Sequence, residues 1–560
     1  MKDYLSEYEL WQSNVTQKDL KSELDAMKYD NKRIEDAFYK TLEFGTAGLR
    51  GVMGAGTNRM NQYIIKQTTL AITKYLTKNG GDKKAVITYD SRINSEKFAH
   101  LTASIFASNN VKVYITNGCK PTPYLSFLVR LLKADVGINI TSSHNPKEYN
   151  GYKVYDEQGC QIGEEIAEEI SEIRECINPF EINEDDFNEL KNLGKIEYVD
   201  DENENKYIAT VLKQRVFKGD INNEIKIVYT ALNGVGAPFA KRIFKEIGFS
   251  NVVYVQEQME PNGNFTTCPY PNPELDDAIS LAVQYAKKNN ADYVLATDPD
   301  SDRLSVAYRE KGTDNFRHLT GNEIGVLFAE FIFRNLKMQD KLPLNPVVVR
   351  SIVTTPWVDN IVKEYGGIVK ETYTGFKNLC GEIRKLELNG EVDRAILAFE
   401  DACGYLKGSY VRDKDGVLAC MLFMELLSEI THSNISIEDR LNEIKSRFGA
   451  YESKLYSVRF EGLDGEKQKN NILKHLRENE IETIGGQKVI KKIDFLNQTE
   501  YDLPASNVLK YIFESGDDLI IRPSGTEPLL KCYINIKGGN LERLDLICKD
   551  IKYIFTGENV

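Results

Sequence analysis

The sequence predicts a multidomain α/β protein that ends in a smaller α+β domain, on three observations. The chain has 560 residues, several times the roughly 100–200 of a typical domain. Short β-branched runs alternate with helical stretches over most of it, the pattern of a largely parallel, buried sheet covered by helices. Beyond residue 440 the alternation breaks into short strands (LYSVRF, DLIIRPSG, LKCYINIK) set around helices. Apolar residues make up 41% and charged residues 28%, so the chain can build its cores without a metal or disulfide staple.

Taken in order, the first forty or so residues read as amphipathic helix, with Tyr4, Leu5, Tyr8 and Leu10 on one side. The runs KAVITYD, VKVYITN and ADVGINITSS then read as strands, and YIIKQTTLAITKYL and TPYLSFLVRLL as the helices between them. The acidic stretch from Glu164 to Glu204 reads as a solvated helix pair and linker, and the first domain boundary falls near its end. A second α/β block runs from IKIVYTALNG to YVLATDPDSDRLSVAY, and a third from LTGNEIGVLFAEFIF to about His432. The expected domains are 1–205, 206–312, 313–440 and 441–560.

The formal net charge is −13, which disfavours nucleic acid and anionic membrane as partners. An anionic substrate would then need a locally positive site built from a few Arg, Lys and backbone N–H groups. Nine cysteines without a C-x-x-C pair predict reduced thiols rather than a disulfide framework or zinc knuckle. The N-terminus has no apolar secretory core, and no run of about 18 apolar residues occurs. The expectation is a cytoplasmic protein with a small-molecule partner, monomeric or a small homo-oligomer.

The sharpest motif is Asp298-Pro299-Asp300-Ser301-Asp302-Arg303, between the strands YVLAT and LSVAY. Carboxylates at alternate positions of an extended chain lie within about 7 Å of each other and repel by roughly 2–3 kcal/mol per pair at an effective dielectric near 20. Three oxygen ligands with open positions suit one Mg²⁺ ion. An EF-hand is excluded, because its Gly and Glu positions hold Arg303 and Arg309. Thr141-Ser142-Ser143-His144-Asn145-Pro146 closes the strand VGINI, at the edge where α/β sheets bind ligands. Alone it would also serve as a turn or helix cap.

Two loops suit anions: Arg522-Pro523-Ser524-Gly525-Thr526-Glu527-Pro528, and Phe44-Gly45-Thr46-Ala47-Gly48-Leu49-Arg50-Gly51. Neither is a P-loop, since the Lys-Ser/Thr ending is missing. The third block adds Thr374-Gly375-Phe376-Lys377, Glu400-Asp401-Ala402-Cys403-Gly404-Tyr405 and Arg412-Asp413-Lys414-Asp415-Gly416, acids and cations suited to a phosphorylated polyol.

Together these motifs resemble the phosphohexomutase superfamily, in its order and over nearly the whole chain, and most resemble the branch of long bacterial phosphoglucomutases and phosphopentomutase-like enzymes. The resemblance implies three related α/β domains with mixed sheets and a C-terminal phosphate-binding α+β domain. It implies an isomerase, an intramolecular phosphotransferase acting through a phosphoserine at Ser143 and a bisphosphorylated sugar, with glucose 1,6-bisphosphate as activator. It further implies Asp298, Asp300, Asp302 and the Ser143 phosphoryl as Mg²⁺ ligands, and His144 and Lys153 in proton transfer. Arg50 and Arg303 would lie near the transferring phosphoryl. Thr46 belongs to the first anion loop, Thr374, Gly375, Lys377, Glu400 and Lys414 would contact the sugar, and Arg522, Ser524, Gly525 and Thr526 would cradle the other phosphate. Glucose 1-phosphate and glucose 6-phosphate are the leading substrate pair.

One departure bears on the sugar: Ala402 stands where many relatives carry a serine that helps read the hydroxyls. A pentose 1-phosphate, or broad specificity, therefore stays open. Mannose or glucosamine phosphates fit less well, because Glu400 to Gly404 is one residue longer than their usual loop. A catalytically silent sugar-phosphate sensor would be expected to lose Ser143 or an aspartate, and this chain keeps all four.

Overall fold

A computed structural model describes residues 3–43, 48–460, 462–524 and 529–557, except for the side chains of 462–464 and 466. The chain divides into two compact units. The first holds Met1–Gly321, Ile383–Asp393 and Ala402–His432; the second holds Asn322–Glu382, Arg394–Asp401 and Ser433–Val560.

The first unit begins with three short helices, Tyr4–Asn14, Lys18–Met27 and Asn31–Phe38, not one long one. The chain is broken between them, and Asp3 and Asp30 cap the first and third by accepting the N–H groups of Leu5 and Arg33. Tyr8, Trp11 and Val15 form the buried stripe, while Leu5 and Leu10 are exposed. Helical spacing of three and four puts 8, 11 and 15 on one face and turns 5 and 10 away. Trp11 meets Phe38, Tyr63 and Phe180 edge-on, with centroids 5.5–5.8 Å apart, so the extension joins the first core.

That core lies on a six-stranded sheet in the order Leu49–Val52, Tyr149–Tyr155, Val136–Ile140, Lys83–Tyr89, Val111–Ile115, Ile196–Tyr198. The last four strands are parallel, and Tyr149–Tyr155 runs antiparallel to both its neighbours. The acidic stretch is more than a solvated linker. Glu164–Glu175 buries Ala167 and Ile170, and Ile196–Tyr198 adds the edge strand. Its acids face water while every third or fourth residue is apolar, a periodicity that outweighs composition.

A five-stranded sheet follows, in the order Phe316–His318, Leu304–Arg309, Tyr293–Thr297, Ile227–Thr230, Val252–Tyr254. It is parallel on one side and antiparallel on the other. The helix Gly416–His432 also belongs to this unit and is buried from Gly416 to Ile430. Asp415 caps it, accepting the N–H groups of Val417 and Leu418 at 2.9 and 3.0 Å.

In the second unit, Ile368–Thr372, Val347–Ser351 and Ala395–Glu400 pair in parallel. Beyond them a six-stranded antiparallel sheet runs from Tyr451–Arg459 through Leu529–Lys537, Asp518–Pro523, Leu509–Phe513 and Gln487–Asp494 to Thr483–Ile484. Among the described residues no single helix is long and apolar enough to cross a membrane, and all nine cysteines are free thiols.

Candidate active site

Ser143 sits where the fully buried strand Val136–Ile140 ends. The chain turns sharply there: Ser143 has φ 52°, in the left-handed region, and its N–H donates to Thr141 Oγ1 at 2.8 Å. A non-glycine residue in that region stores about 1–3 kcal/mol of strain, which persists only where the surroundings enforce it. The turn points Ser143 Oγ at Asp298 Oδ2, 3.0 Å away, with His144 Nδ1 at 3.2 Å. Burial first, and then the guanidinium groups of Arg303 and Arg50, push the His144 pKa well down, so the ring is neutral near pH 7.

The opposing loop leaves the strand Tyr293–Thr297 and reverses at Ser301, φ 54°. Asp298, Asp300 and Asp302 are at most 1% exposed, and a carboxylate oxygen from each lies within 4.8 Å of the others. Asp298 Oδ1 accepts the N–H groups of Asp302 and Arg303, both at 3.1 Å. Asp300 Oδ2 accepts from Thr122 Oγ1 at 2.7 Å, and Asn139 Nδ2 donates to that hydroxyl at 2.7 Å. The remaining oxygens, Asp300 Oδ1 and Asp302 Oδ1, are buried without a hydrogen-bond partner. Orphaned hard anionic oxygens this close fit a small divalent cation such as Mg²⁺. Burial first, and then Asp302 and Asp300, push the Asp298 pKa well up. Burial opposes ionisation of Asp300 too, but the Lys153 ammonium beside it holds that pKa well down.

Four cations ring the aspartates. Lys153 Nζ lies 2.9 Å from Asp300 Oδ2 and 3.7 Å from Asp302 Oδ2. Lys414 Nζ lies 3.0 Å from Asp302 Oδ2 and 3.1 Å from Asp413 Oδ1. Arg303 pairs with Glu274 through Nη1 and keeps Nε 3.8 Å from both Asp298 and Asp302. Arg50, on the edge strand Leu49–Val52, donates to Asn145 Oδ1 at 3.0 Å. Burial first lowers the Arg50 pKa, and Asp300 partly restores it.

The first unit thus gathers Arg50, Ser143, His144, Lys153, Asp298, Asp300, Asp302, Arg303 and Lys414. Lys414, expected with the sugar contacts, is joined to the aspartate cluster. The other sugar-loop residues belong to the second unit, where the Gly375 N–H donates to Glu400 Oε1 at 2.7 Å. The Thr374 carbonyl accepts from Asn378 at 3.0 Å, and Lys377 lies in the first turn of the helix Phe376–Leu388. In the same unit Arg522 Nη2 lies 3.2 Å from Tyr533 Oη, and the Ser524 N–H donates to the Leu529 carbonyl at 2.9 Å. Thr46, Gly525 and Thr526 lie outside the described residues.

The motif reading missed four residues at this site: Arg92, Thr122, Glu274 and Asp413. Arg92 had a sequence signal, since Asp90-x-Arg92 follows a strand of the same sheet as Ser143. Asp413 stood inside a motif already noted, and Tyr155 Oη donates to it at 2.7 Å. Thr122, at the start of a helix, and Glu274, in a loop, look ordinary in the sequence, and only folding brings them to Asp300 and Arg303.

The models of phosphoglucomutase/phosphomannomutase α/β/α domains I, II and III match residues 41–178, 205–312 and 320–448. A phosphoglucomutase of Staphylococcus haemolyticus is 35% identical over 550 residues, covering 95% of this chain and 97% of its own. Parafusin, a phosphoglucomutase of Paramecium in its open form, is similar in fold with TM-score 0.69 at 19% identity, over 93% of this chain and 96% of that one. N-acetylphosphoglucosamine mutase of Aspergillus fumigatus, in complex with GlcNAc-6P and magnesium, matches with TM-score 0.51 at 14% identity, over 97% of this chain and 100% of that one. Three consecutive domain matches and a relative aligned end to end leave one conclusion: this chain is an enzyme of the phosphoglucomutase/phosphomannomutase family, an isomerase by class.

Proposed function

We propose that this enzyme interconverts glucose 1-phosphate and glucose 6-phosphate by way of a phosphorylated Ser143. The observation that carries the proposal is the Ser143 hydroxyl held 3.0 Å from Asp298, within a triple-aspartate cluster ringed by cations. Phosphoryl transfer needs position and charge stabilisation more than covalent chemistry.

In the forward half-reaction a sugar hydroxyl attacks the phosphorus on Ser143. An O–P bond forms to the sugar, the Oγ–P bond breaks, and the hydroxyl proton ends on Ser143 Oγ, passed on by the neighbouring His144 ring. The bisphosphorylated sugar then returns its other phosphoryl to Ser143 Oγ, and His144 Nδ1, neutral and 3.2 Å away, accepts the serine proton. Lys153, Arg50 and Arg303 balance the charge of the transferring group's oxygens. A magnesium ion held by Asp298, Asp300 and Asp302 would supply the remaining positive charge; the magnesium and sugar phosphate bound by the Aspergillus enzyme support that assignment. Arg522 and Ser524, with Gly525 and Thr526, are the proposed cradle for the non-reacting phosphate, and Thr374, Gly375, Lys377 and Glu400 the sugar-reading groups. Thr46 is assigned to the anion-binding loop that carries Arg50.

The glucose assignment draws on relatives of the Staphylococcus haemolyticus kind. Ala402 favours a second reading, a pentose 1-phosphate. Initial rates for glucose 1-phosphate and ribose 1-phosphate, with Mg²⁺ and trace glucose 1,6-bisphosphate, test both. A glucose rate well above the ribose rate, abolished in Ser143→Ala, is expected. A ribose preference would replace the substrate, and activity surviving in Ser143→Ala would overturn the phosphoserine route.

A further inference from the structure

We propose that Arg92 is a positioning residue for phosphoryl transfer, holding Ser143 in the conformation that aims its oxygen at the aspartate cluster; the proposal rests on the phosphoserine reading above. Arg92 is 3% exposed and stands just past the strand Lys83–Tyr89. Its guanidinium gathers the backbone carbonyls of the serine loop. One terminal nitrogen donates to Ser143 O at 2.6 Å and to Asn145 O, and the other to Pro146 O at 2.8 Å and Tyr149 O at 3.1 Å. The third nitrogen, Nε, lies 3.3 Å from Asp90 Oδ2. Asp90 is itself fixed, through Oδ1, by Ser95 Oγ at 2.7 Å and the Arg92 N–H at 2.9 Å.

The pattern suits the problem that Ser143 poses. A serine at φ 52° would relax towards negative φ unless something held it. In the left-handed turn the carbonyls from Ser143 to Tyr149 converge on one point, and a planar five-donor group is the side chain that can serve them together. Lysine, with one rotating nitrogen, could not span them. The far face of the guanidinium is covered by the Phe265 ring, 5.1 Å away, from a loop of the second α/β domain. That loop packs closely against the turn that carries Arg92. Gly263 lies so close to the 91–93 turn that a Cβ there would stand 2.4 Å from Ile93 N. Arg92 therefore bridges the serine loop and a loop of the domain that also carries the aspartates, without touching the reacting atoms.

The test separates a positioning role from one in folding alone. Wild type, Arg92→Lys and Phe265→Leu are labelled with radioactive glucose 1,6-bisphosphate, and turnover is expressed per phosphorylated Ser143. Molecules that fail to fold thereby drop out of the rate. The expected result is a kcat per phosphoserine about 10- to 100-fold lower in Arg92→Lys. In Phe265→Leu the loss is about 2- to 5-fold, and KM for glucose 1-phosphate stays within about twofold of wild type in both. A kcat per phosphoserine within twofold of wild type in both variants, or a loss residing wholly in KM, would overturn the proposal. If Arg92→Lys yields no labelled protein, the Phe265→Leu values decide. Absence of label on Ser143 in the wild-type enzyme would overturn the phosphoserine reading itself, before any variant is compared.

Discussion

Neutralising Asp298 should strengthen the metal-free fold while removing its response to Mg²⁺. Asp298 and its two neighbours offer oxygens within 4.8 Å of one another, so each pair repels by about 3.5 kcal/mol at an effective dielectric of 20. Asp298→Asn deletes two of those pairs, about 7 kcal/mol of repulsion. It also forfeits the attraction of Arg303 Nε at 3.8 Å, worth about 4 kcal/mol on the same scale. The amide oxygen can still accept the N–H groups of Asp302 and Arg303 that Oδ1 now accepts. About 3 kcal/mol in favour of the variant remains. Both proteins carry Ser143→Ala, so that no phosphoryl group enters the comparison, and melting is followed by calorimetry in EDTA and in excess Mg²⁺. The variant should melt a few degrees above its parent in EDTA and ignore Mg²⁺. The parent should gain stability, by about 2.7 kcal/mol at a hundred times its Kd. The pH sign follows from the raised pKa of Asp298. In the parent the folded state holds this proton more tightly than the unfolded one, so stability falls as pH rises from about 4 through the folded pKa. The variant's advantage in EDTA should therefore grow over that range. A variant that melts below its parent in EDTA, or that responds to Mg²⁺ as the parent does, would refute the reasoning.

Lys153→Met strands the buried Asp300 carboxylate that Lys153 pairs at 2.9 Å, so urea unfolding in EDTA should show a loss of about 3–5 kcal/mol, and a loss below 1 kcal/mol would contradict the pairing. Glu274→Gln removes the carboxylate that pairs with Arg303; the mutase rate should fall about tenfold, with a stability change under about 1 kcal/mol because Glu274 is partly exposed, and steady-state kinetics beside urea unfolding check both halves. Trp11→Ala, at a side chain 1% exposed, should cost about 3–5 kcal/mol of stability by urea unfolding while leaving the rate per folded molecule unchanged.

The sequence by itself determined which chemistry is present. Asp298, Asp300 and Asp302 are spaced by local chain geometry, and Ser143 follows the strand VGINI, whose β-branched residues mark it as part of a buried sheet. The β-branched Val136, Ile138 and Ile140 carry that strand signal, with Asn139 the polar residue among them, and such signals span a few residues, so they survive without knowledge of the fold. The apolar periods likewise marked the helices Gln62–Thr77 and Thr122–Leu132 and the strands Lys83–Tyr89 and Val136–Ile140. Where the sequence reading went astray, composition had stood in for periodicity. The acidic stretch hid an apolar stripe and an edge strand, and the N-terminal extension hid two breaks. Tertiary structure alone decided what surrounds each functional oxygen. Lys414 lies 112 residues beyond Asp302 in the chain and yet 3.0 Å from it in space, and Thr122 reaches Asp300 from 178 residues away. Arg92 meets four carbonyls of a loop more than 50 residues on. Such pairs leave no mark in sequence, because a hydrogen bond is set by atoms within about 3 Å, and which atoms come that close is settled by how sheets and helices pack.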